Sequence, residues 1–234
     1  MLFLSGNQKI KNPRDEHYCD MLKITWCPTV KLLSITLLIL IAQLAMFITS
    51  AAMGIDKKQQ LLQIQSDVLY KLGANYSPSI KSGEVYRLVA AEFLHVHFLH
   101  LVGNFITTLI FVSRVEYSFG WFKTILVYLV SGIGGNIFSD LTKPSDSIIK
   151  VGASTSLFGI IGVILAYVII NWRGLDVIGR MLKCQMMFIT VVVVLFILIL
   201  TPYNSNIDYM GHLGGFITGF LMIGIHQTIR NDTC

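Results

Sequence analysis

Charge is scarce in this 234-residue chain: only 13% of its residues are Asp, Glu, Lys or Arg. Soluble domains of this size carry roughly a quarter. Hydrophobic residues make up 54%, and the mean hydropathy is +0.67. A single core cannot hide that much apolar surface, so a soluble domain is excluded and an all-α membrane protein with several spans is expected. Cysteine is sparse as well. Cys19, Cys27, Cys184 and Cys234 form no CxxC pair and no metal-like spacing with histidine. Neither a zinc site nor a disulfide framework is expected, and no cofactor is called for. A basic stripe interleaved with aromatics is missing too, which argues against nucleic acid as a partner. The net charge of +5 therefore concerns topology and contact with membrane lipids. Repeats and low-complexity tracts are absent.

The opening residues, 1–31, mix Lys9, Lys11 and Arg14 with Asp15, Glu16 and Asp20. That is too acidic for a mitochondrial transit peptide, and no cleavable signal peptide is visible. A short cytoplasmic tail is expected, with a secretory-pathway or plasma-membrane address in preference to a mitochondrial one.

What is present is apolar length. A helix needs about 20 residues to cross the hydrocarbon layer. Six stretches qualify within a membrane domain spanning 32–234: Leu32–Gly54, Leu88–Ser113, Phe122–Asp140, Ile148–Asn171, Cys184–Leu200 and Tyr209–Ile229. The run Val191–Val194 is β-branched, yet helix is still expected there because lipid leaves every amide to be satisfied internally. Six spans put both termini on one side. That side holds Lys9, Lys11, Arg14, Lys23, Lys31, Arg114, Lys123, Arg173, Arg180, Lys183 and Arg230, so it is read as cytoplasmic. Trp26, Trp121 and Trp172 fall at span ends on the same side, as interfacial anchors should. The long outer loop Ile55–Arg87 carries Leu61, Leu62, Ile64, Val68, Leu69 and Leu72 and is expected to dip partly into the outer leaflet.

Polar groups within spans cost free energy and are functional candidates for that reason. Three clusters stand out. "FLHVHFLHLVGN" brings His95, His97, His100 and Asn104 to the outer end of span two. His100 and Asn104 are one turn apart and share a face. "VGASTSLFGIIG" opens span four with Ser154, Thr155 and Ser156 beside Gly152, Gly159 and Gly162. Alone, these hydroxyls read as packing glue that bonds to the preceding turn. "DYMGHLGGFITGF" sets His212 among Gly211, Gly215 and Gly219. Two glycine stripes let two helices approach closely. One stripe flanks a serine and the other a histidine, and all the polar members lie toward the outer face. Spans four and six packed through these stripes would bring Ser154 to His212. A hydroxyl becomes a nucleophile when such a base takes its proton. His100, Asn104 and the Ser154 amide would supply oxyanion donors.

At this point the chain resembles the rhomboid intramembrane serine proteases. The H-x4-H-x3-N signature lies in "RLVAAEFLHVHFLHLVGN", followed by "VEYSFG", "YLVSGIGGN", "GASTSLFGIIG" and "GHLGGFITG" in family order. These motifs cover roughly Gly73 to Phe220. The resemblance implies a six-helix rhomboid-type bundle and a serine endopeptidase cutting peptide bonds in or near transmembrane helices. It makes Ser154 the nucleophile, within a motif opened by Gly152, and His212 the general base. His100 and Asn104 become oxyanion donors, His95 an organiser of span two, Phe158 the aromatic against the imidazole, and Glu116 a buried structural acid. Expected substrates are single-pass membrane proteins with helix-destabilising residues near the scissile bond. The "GAST" variant is similar to that of small rhomboids in unicellular parasites that shed surface adhesins, which places adhesins among them.

Departures from the pattern are Thr155, where glycine usually follows the nucleophile, and Tyr86-Arg87 in place of a Trp-Arg pair. Ser156 is a second hydroxyl able to compete with Ser154. Asp208, four residues before His212, is read as an N-cap and not as a triad member. The competing classes are a transporter or channel using the histidines as an ion path, and an inactive rhomboid-like chaperone that binds helices without cutting. A transporter would more often show internal pseudo-repeats, and a chaperone would usually have lost Ser154 or His212.

Overall fold

The computed structural model describes residues 34–57, 62–142, 148–170 and 208–231. The expected tail, 1–31, and the expected fifth span, 184–200, lie outside the described residues. What is described is helical; the only β-pairing there consists of two isolated antiparallel bridges, Ile55 with Ile64 and Asn75 with Lys150.

The first helix, α1 (Ile35–Met53), is apolar along its length and starts on two caps. Ser34 Oγ accepts the Leu37 N–H. Glu116 accepts the N–H groups of Ile35 and Thr36 at 2.8 and 2.9 Å, and the Thr36 hydroxyl at 2.6 Å. A carboxylate here answers orphan donors and the positive end of the helix dipole together. The expected structural acid is thus half-buried, not buried, and its task is to fasten α1 to a distant helix.

The outer segment carries three short helices, α2 (Ser66–Lys71), α3 (Ser77–Lys81) and α4 (Arg87–Ala90), then a 3-10 turn at Ala91–Phe93. Of its apolar residues, Ile64, Val68 and Leu69 are buried with Phe47 of α1, Leu94 and Leu101 in a core of their own, while Leu62 is exposed. Buried Arg87 holds the segment from within. It donates to the carbonyls of Tyr70 and Ala74, pairs with Glu84, and lies under the Tyr70 ring at 4.3 Å and the Tyr86 ring at 5.4 Å.

Span two begins later than its hydropathy suggests. Residues 94–97 are non-helical, and the membrane helix runs from Phe98 to Phe119 as α5 (Phe98–Thr107), a π stretch (Thr108–Val112) and α6 (Ser113–Phe119). His97 sets the start: its Nδ1 accepts the His100 N–H at 3.1 Å, so the ring acts as an N-cap. After a turn at Gly120, with φ +84°, comes α7 (Trp121–Thr142). The helices Ile35–Met53, Phe98–Phe119 and Trp121–Thr142 are each long and apolar enough to cross a membrane.

The fourth stretch also starts late. Residues 148–153 are non-helical, and α8 occupies Ser154–Ile170. Most of it is buried, which explains an apolar pattern with no polar face. Its partners in the main core are Ile39, Phe111, Val112, Val115 and Tyr128 from α1, the π stretch, α6 and α7. The last helix, α9 (Tyr209–Asn231), packs on both α7 and α8.

Candidate active site

Glycine decides how closely α8 and α9 approach. A Cβ on Gly215 would strike the Thr155 carbonyl oxygen, one on Gly219 the Gly159 carbonyl, and one on Gly162 the Phe216 carbonyl. Backbone thus lies directly on backbone. The same contacts account for Thr155. Its Cγ2 fills the space that a side chain at Gly135 of α7 would need. The methyl is accommodated because α7 and α9 both present glycine to it.

Across this seam Ser154 Oγ lies 2.7 Å from His212 Nε2, although the residues are 58 apart in sequence. The Phe158 ring, one turn along α8, stacks on the imidazole at 4.6 Å between centroids and 13° between planes. The stacking fixes the ring plane and leaves Nε2 aimed at the hydroxyl. For Nε2 to accept, the ring proton must sit on Nδ1. Ser154, His212 and His100 are each half-buried, so the pair is recessed but not sealed.

Gly152 precedes the serine with φ +138°, a conformation that disfavours any other residue. A Cβ there would also meet His100 at 2.8 Å and lie 3.5 Å from Ser154 Oγ. His100 is therefore next to the serine, as the sequence suggests. Its ring is held edge-on by fully buried His95 at 5.2 Å and tilted against His97 at 5.9 Å. Asn104, one turn below His100, is 6% exposed, and its Nδ2 is buried with no hydrogen-bond partner. An amide N–H held out of water without an acceptor is a costly arrangement. It suits a group kept for a charge that develops only during a reaction.

Ser156 is not part of this constellation. It faces the other side of α8, where its hydroxyl donates to Glu92 at 2.7 Å with both residues fully buried. The neighbourhood there includes Tyr128, whose hydroxyl accepts from Gln43, and Gly132, whose missing side chain makes room for Glu92. Glu92 and Gln43 are residues that reading for motifs passed over. The signal was available, since each is a lone polar group in an apolar run. Asp208 caps α9, accepting the Gly211 N–H at 3.0 Å, while Ser139 donates to the same oxygen; neither carboxylate oxygen bonds the His212 ring. Among the described residues no three His, Cys, Asp or Glu side chains converge as metal ligands.

Composition and fold define a helical membrane protein, and its central buried helix presents a hydrogen-bonded serine–histidine pair. The Rhomboid domain family model matches residues 82–227. The chain belongs to the rhomboid family. It is 35% identical to Rhomboid-like protease 1 of Toxoplasma gondii, over 71% of this chain and 56% of that protein. RHOMBOID-like protein 5 of Arabidopsis thaliana is 32% identical over 71% of this chain and 52% of its own length. Rhomboid-like protease 2 of Toxoplasma gondii is 30% identical over 84% of this chain and 67% of its own. The chain thus spans about half to two thirds of the length of these relatives.

Proposed function

We propose that this chain is an intramembrane serine endopeptidase working through a Ser154–His212 dyad. The observation that carries the proposal is the 2.7 Å contact between Ser154 Oγ and His212 Nε2 beneath the stacked Phe158 ring. Two relatives are named as proteases, which supports the same reading.

In the proposed reaction, His212 Nε2 takes the Ser154 proton as Oγ attacks a peptide carbonyl. Negative charge gathers on the carbonyl oxygen. His100, Asn104 Nδ2 and the Ser154 amide donate to it. The imidazolium then passes its proton to the leaving amine, and the acyl-serine remains. Water, deprotonated by the same imidazole, hydrolyses the ester and restores the hydroxyl. The dyad operates without a carboxylate on His212. His95 holds His100 edge-on, and Gly152 lets the serine loop pass under it.

A helical substrate hides its carbonyls in its own hydrogen bonds, so the segment around the scissile bond must unwind. Single-pass membrane proteins with Gly, Ala or Ser near that bond lose least on unwinding, and surface adhesins are proposed among them. The architecture proposed is six spans, the fifth at 184–200, with both termini cytoplasmic and the site toward the opposite face. The proposed address is the secretory pathway or plasma membrane, supported by the acidic residues within 1–31.

Purified wild type and Ser154→Ala in detergent, each given a model single-pass substrate, test the reading. Cleavage by wild type alone is expected. Cleavage that survives Ser154→Ala, or none by wild type across several substrates, would sink it.

A further inference from the structure

A buried lysine lies four residues before the serine, in the non-helical segment leading to α8. Lys150 is 8% exposed, and its two backbone hydrogen bonds pair it with Asn75 of the outer segment. Its ammonium donates to Ser139 Oγ at 2.9 Å and to Asp140 Oδ1 at 3.1 Å, both near the end of α7. Ser77 of the outer segment donates to the same Asp140 oxygen at 2.6 Å. Fully buried Ser139 then passes the connection on. Its one proton goes to Asp208 Oδ1 at 2.6 Å, while its oxygen accepts from Lys150. That Asp208 oxygen also caps the Gly211 N–H, at the head of the helix carrying His212.

We infer that Lys150, relayed by Ser139 to Asp208, is a positioning residue that sets the serine segment against the histidine helix. The inference rests on the dyad reading above. Three features of the chain of bonds support it. Its ends are four residues before Ser154 and four before His212, the two partners of the dyad. Its direction is fixed: an ammonium can only donate and a carboxylate can only accept, so the Ser139 hydroxyl has one satisfied orientation. Lys150 and Ser139 are buried and Asp208 is half-buried, and out of water charge-assisted hydrogen bonds are stronger and a broken one leaves an uncompensated charge. The glycine stripes bring α8 and α9 together side by side, but close packing alone leaves sliding along the seam less restricted. The lysine relay opposes that sliding at the end of the seam where the dyad sits.

The test uses the full chain in detergent with a model transmembrane substrate, and reads kcat and KM separately. Lys150→Met is expected to lower kcat by about 10²-fold, the scale of a 1 Å misplacement, with KM within about twofold. Ser139→Ala removes only the relay and keeps the Lys150–Asp140 pair; it is expected to lower kcat about tenfold and serves if Lys150→Met does not fold. Asp208→Asn keeps an acceptor oxygen at the same place and is expected to lower kcat by no more than about fivefold. A second readout needs no cleavage: spin labels at exposed positions 148 and 213, in a chain whose four native cysteines are replaced. A narrow distance distribution is expected in the otherwise unaltered chain, and a broadened one with Lys150→Met or Ser139→Ala. Unchanged kcat together with unchanged label distances in these two variants overturns the inference. Label broadening in a chain that cuts no substrate would uphold the strap and reject the dyad reading, so the two failures are distinguishable.

Discussion

Two polar clusters lie on opposite sides of α8, and their serines are only two residues apart. Ser154 faces α9, half-buried, bonded to a histidine and next to an amide whose donor has no acceptor. Ser156 faces the 91–93 turn, fully buried, and is bonded to a carboxyl group. Each is a polar group in an apolar bundle, and cost alone would mark both as functional. The clusters differ in access and in the kind of atom left without a partner. The Ser154 side is half-buried and leaves a donor, the Asn104 amide, which is what a developing negative charge needs, whereas the Ser156 side is sealed and leaves oxygens, Glu92 Oε1 and Gln43 Oε1. Around Ser156 the space is filled, and the bond ties the turn before α5 to the first turn of α8. Gly152 adds a parallel tie, its N–H donating to the Ala91 carbonyl at 2.9 Å.

The largest effects should separate these two serines. Ser154→Ala or His212→Ala is expected to reduce substrate cleavage by roughly 10⁶-fold, as removal of a nucleophile or its base does. The melting temperature in detergent should barely move with Ser154→Ala and fall modestly with His212→Ala, which also removes the imidazole stacked on Phe158. Ser156→Ala should do the reverse. It strands a buried carboxyl group, a loss of about 1–3 kcal/mol, yet should leave cleavage within about threefold at a temperature where the protein is folded. If Ser156→Ala silences cleavage while the fold is intact, Ser156 competes as nucleophile and the contrast collapses.

Next in size is Asn104. Its amide is the donor without an acceptor, so Asn104→Ala should lower kcat about 10²-fold with little change in KM, the usual result of losing one oxyanion donor. Stability should hold or rise slightly, since an unsatisfied buried group is removed. Purified variants assayed for both cleavage and melting decide it. A drop in melting temperature with unchanged kcat would make Asn104 a structural residue.

How much of this was legible beforehand depended on the kind of signal. Glycines at four-residue spacing and the flanking Ser154 and His212 follow from helical geometry, so the α8–α9 seam could be read directly. Element starts could not. Hydropathy counts Leu88–Phe93 and Ile148–Ala153 as membrane helix, whereas the protein spends those residues on non-helical or short-helix structure. The start of α5 depends on one ring nitrogen of His97, and no apolar pattern reports a hydrogen bond. Glu116 sits in a motif, but its partner is the head of α1, some 80 residues away in sequence. The lysine relay joins four segments distant in the chain, and single-sequence reading has no access to such pairings.

The glycine seam gives a graded test of the same contrast. Gly215→Ala places a Cβ against the Thr155 carbonyl, and neither backbone can yield without shifting a helix. Cleavage should fall between tenfold and 10²-fold as Ser154 and His212 separate. Combining it with Thr155→Gly should recover only part of the loss, because the methyl leaves but the carbonyl stays. The Ser156–Glu92 side should be indifferent, which a melting curve close to that of Gly215→Ala alone would report. Full recovery in the double variant would mean that the Thr155 side chain, not the backbone, sets the spacing.

Smallest of all should be Asp208→Asn. The position tempts one to complete a triad with His212, but a single oxygen, Oδ1, serves both the Gly211 amide and the Ser139 hydroxyl. Asparagine keeps an acceptor oxygen for both and removes only the charge at the head of α9, where the dipole interaction is worth about 0.3–1 kcal/mol. A twofold to fivefold change in kcat is the expected ceiling, with a melting temperature lowered by a degree or two. Asp208→Leu, which removes the acceptor as well, should be markedly worse than Asp208→Asn on both measures. Were the two variants equally inactive, as deeply as His212→Ala, the carboxylate charge itself would be acting on the imidazole, and the site would be a triad.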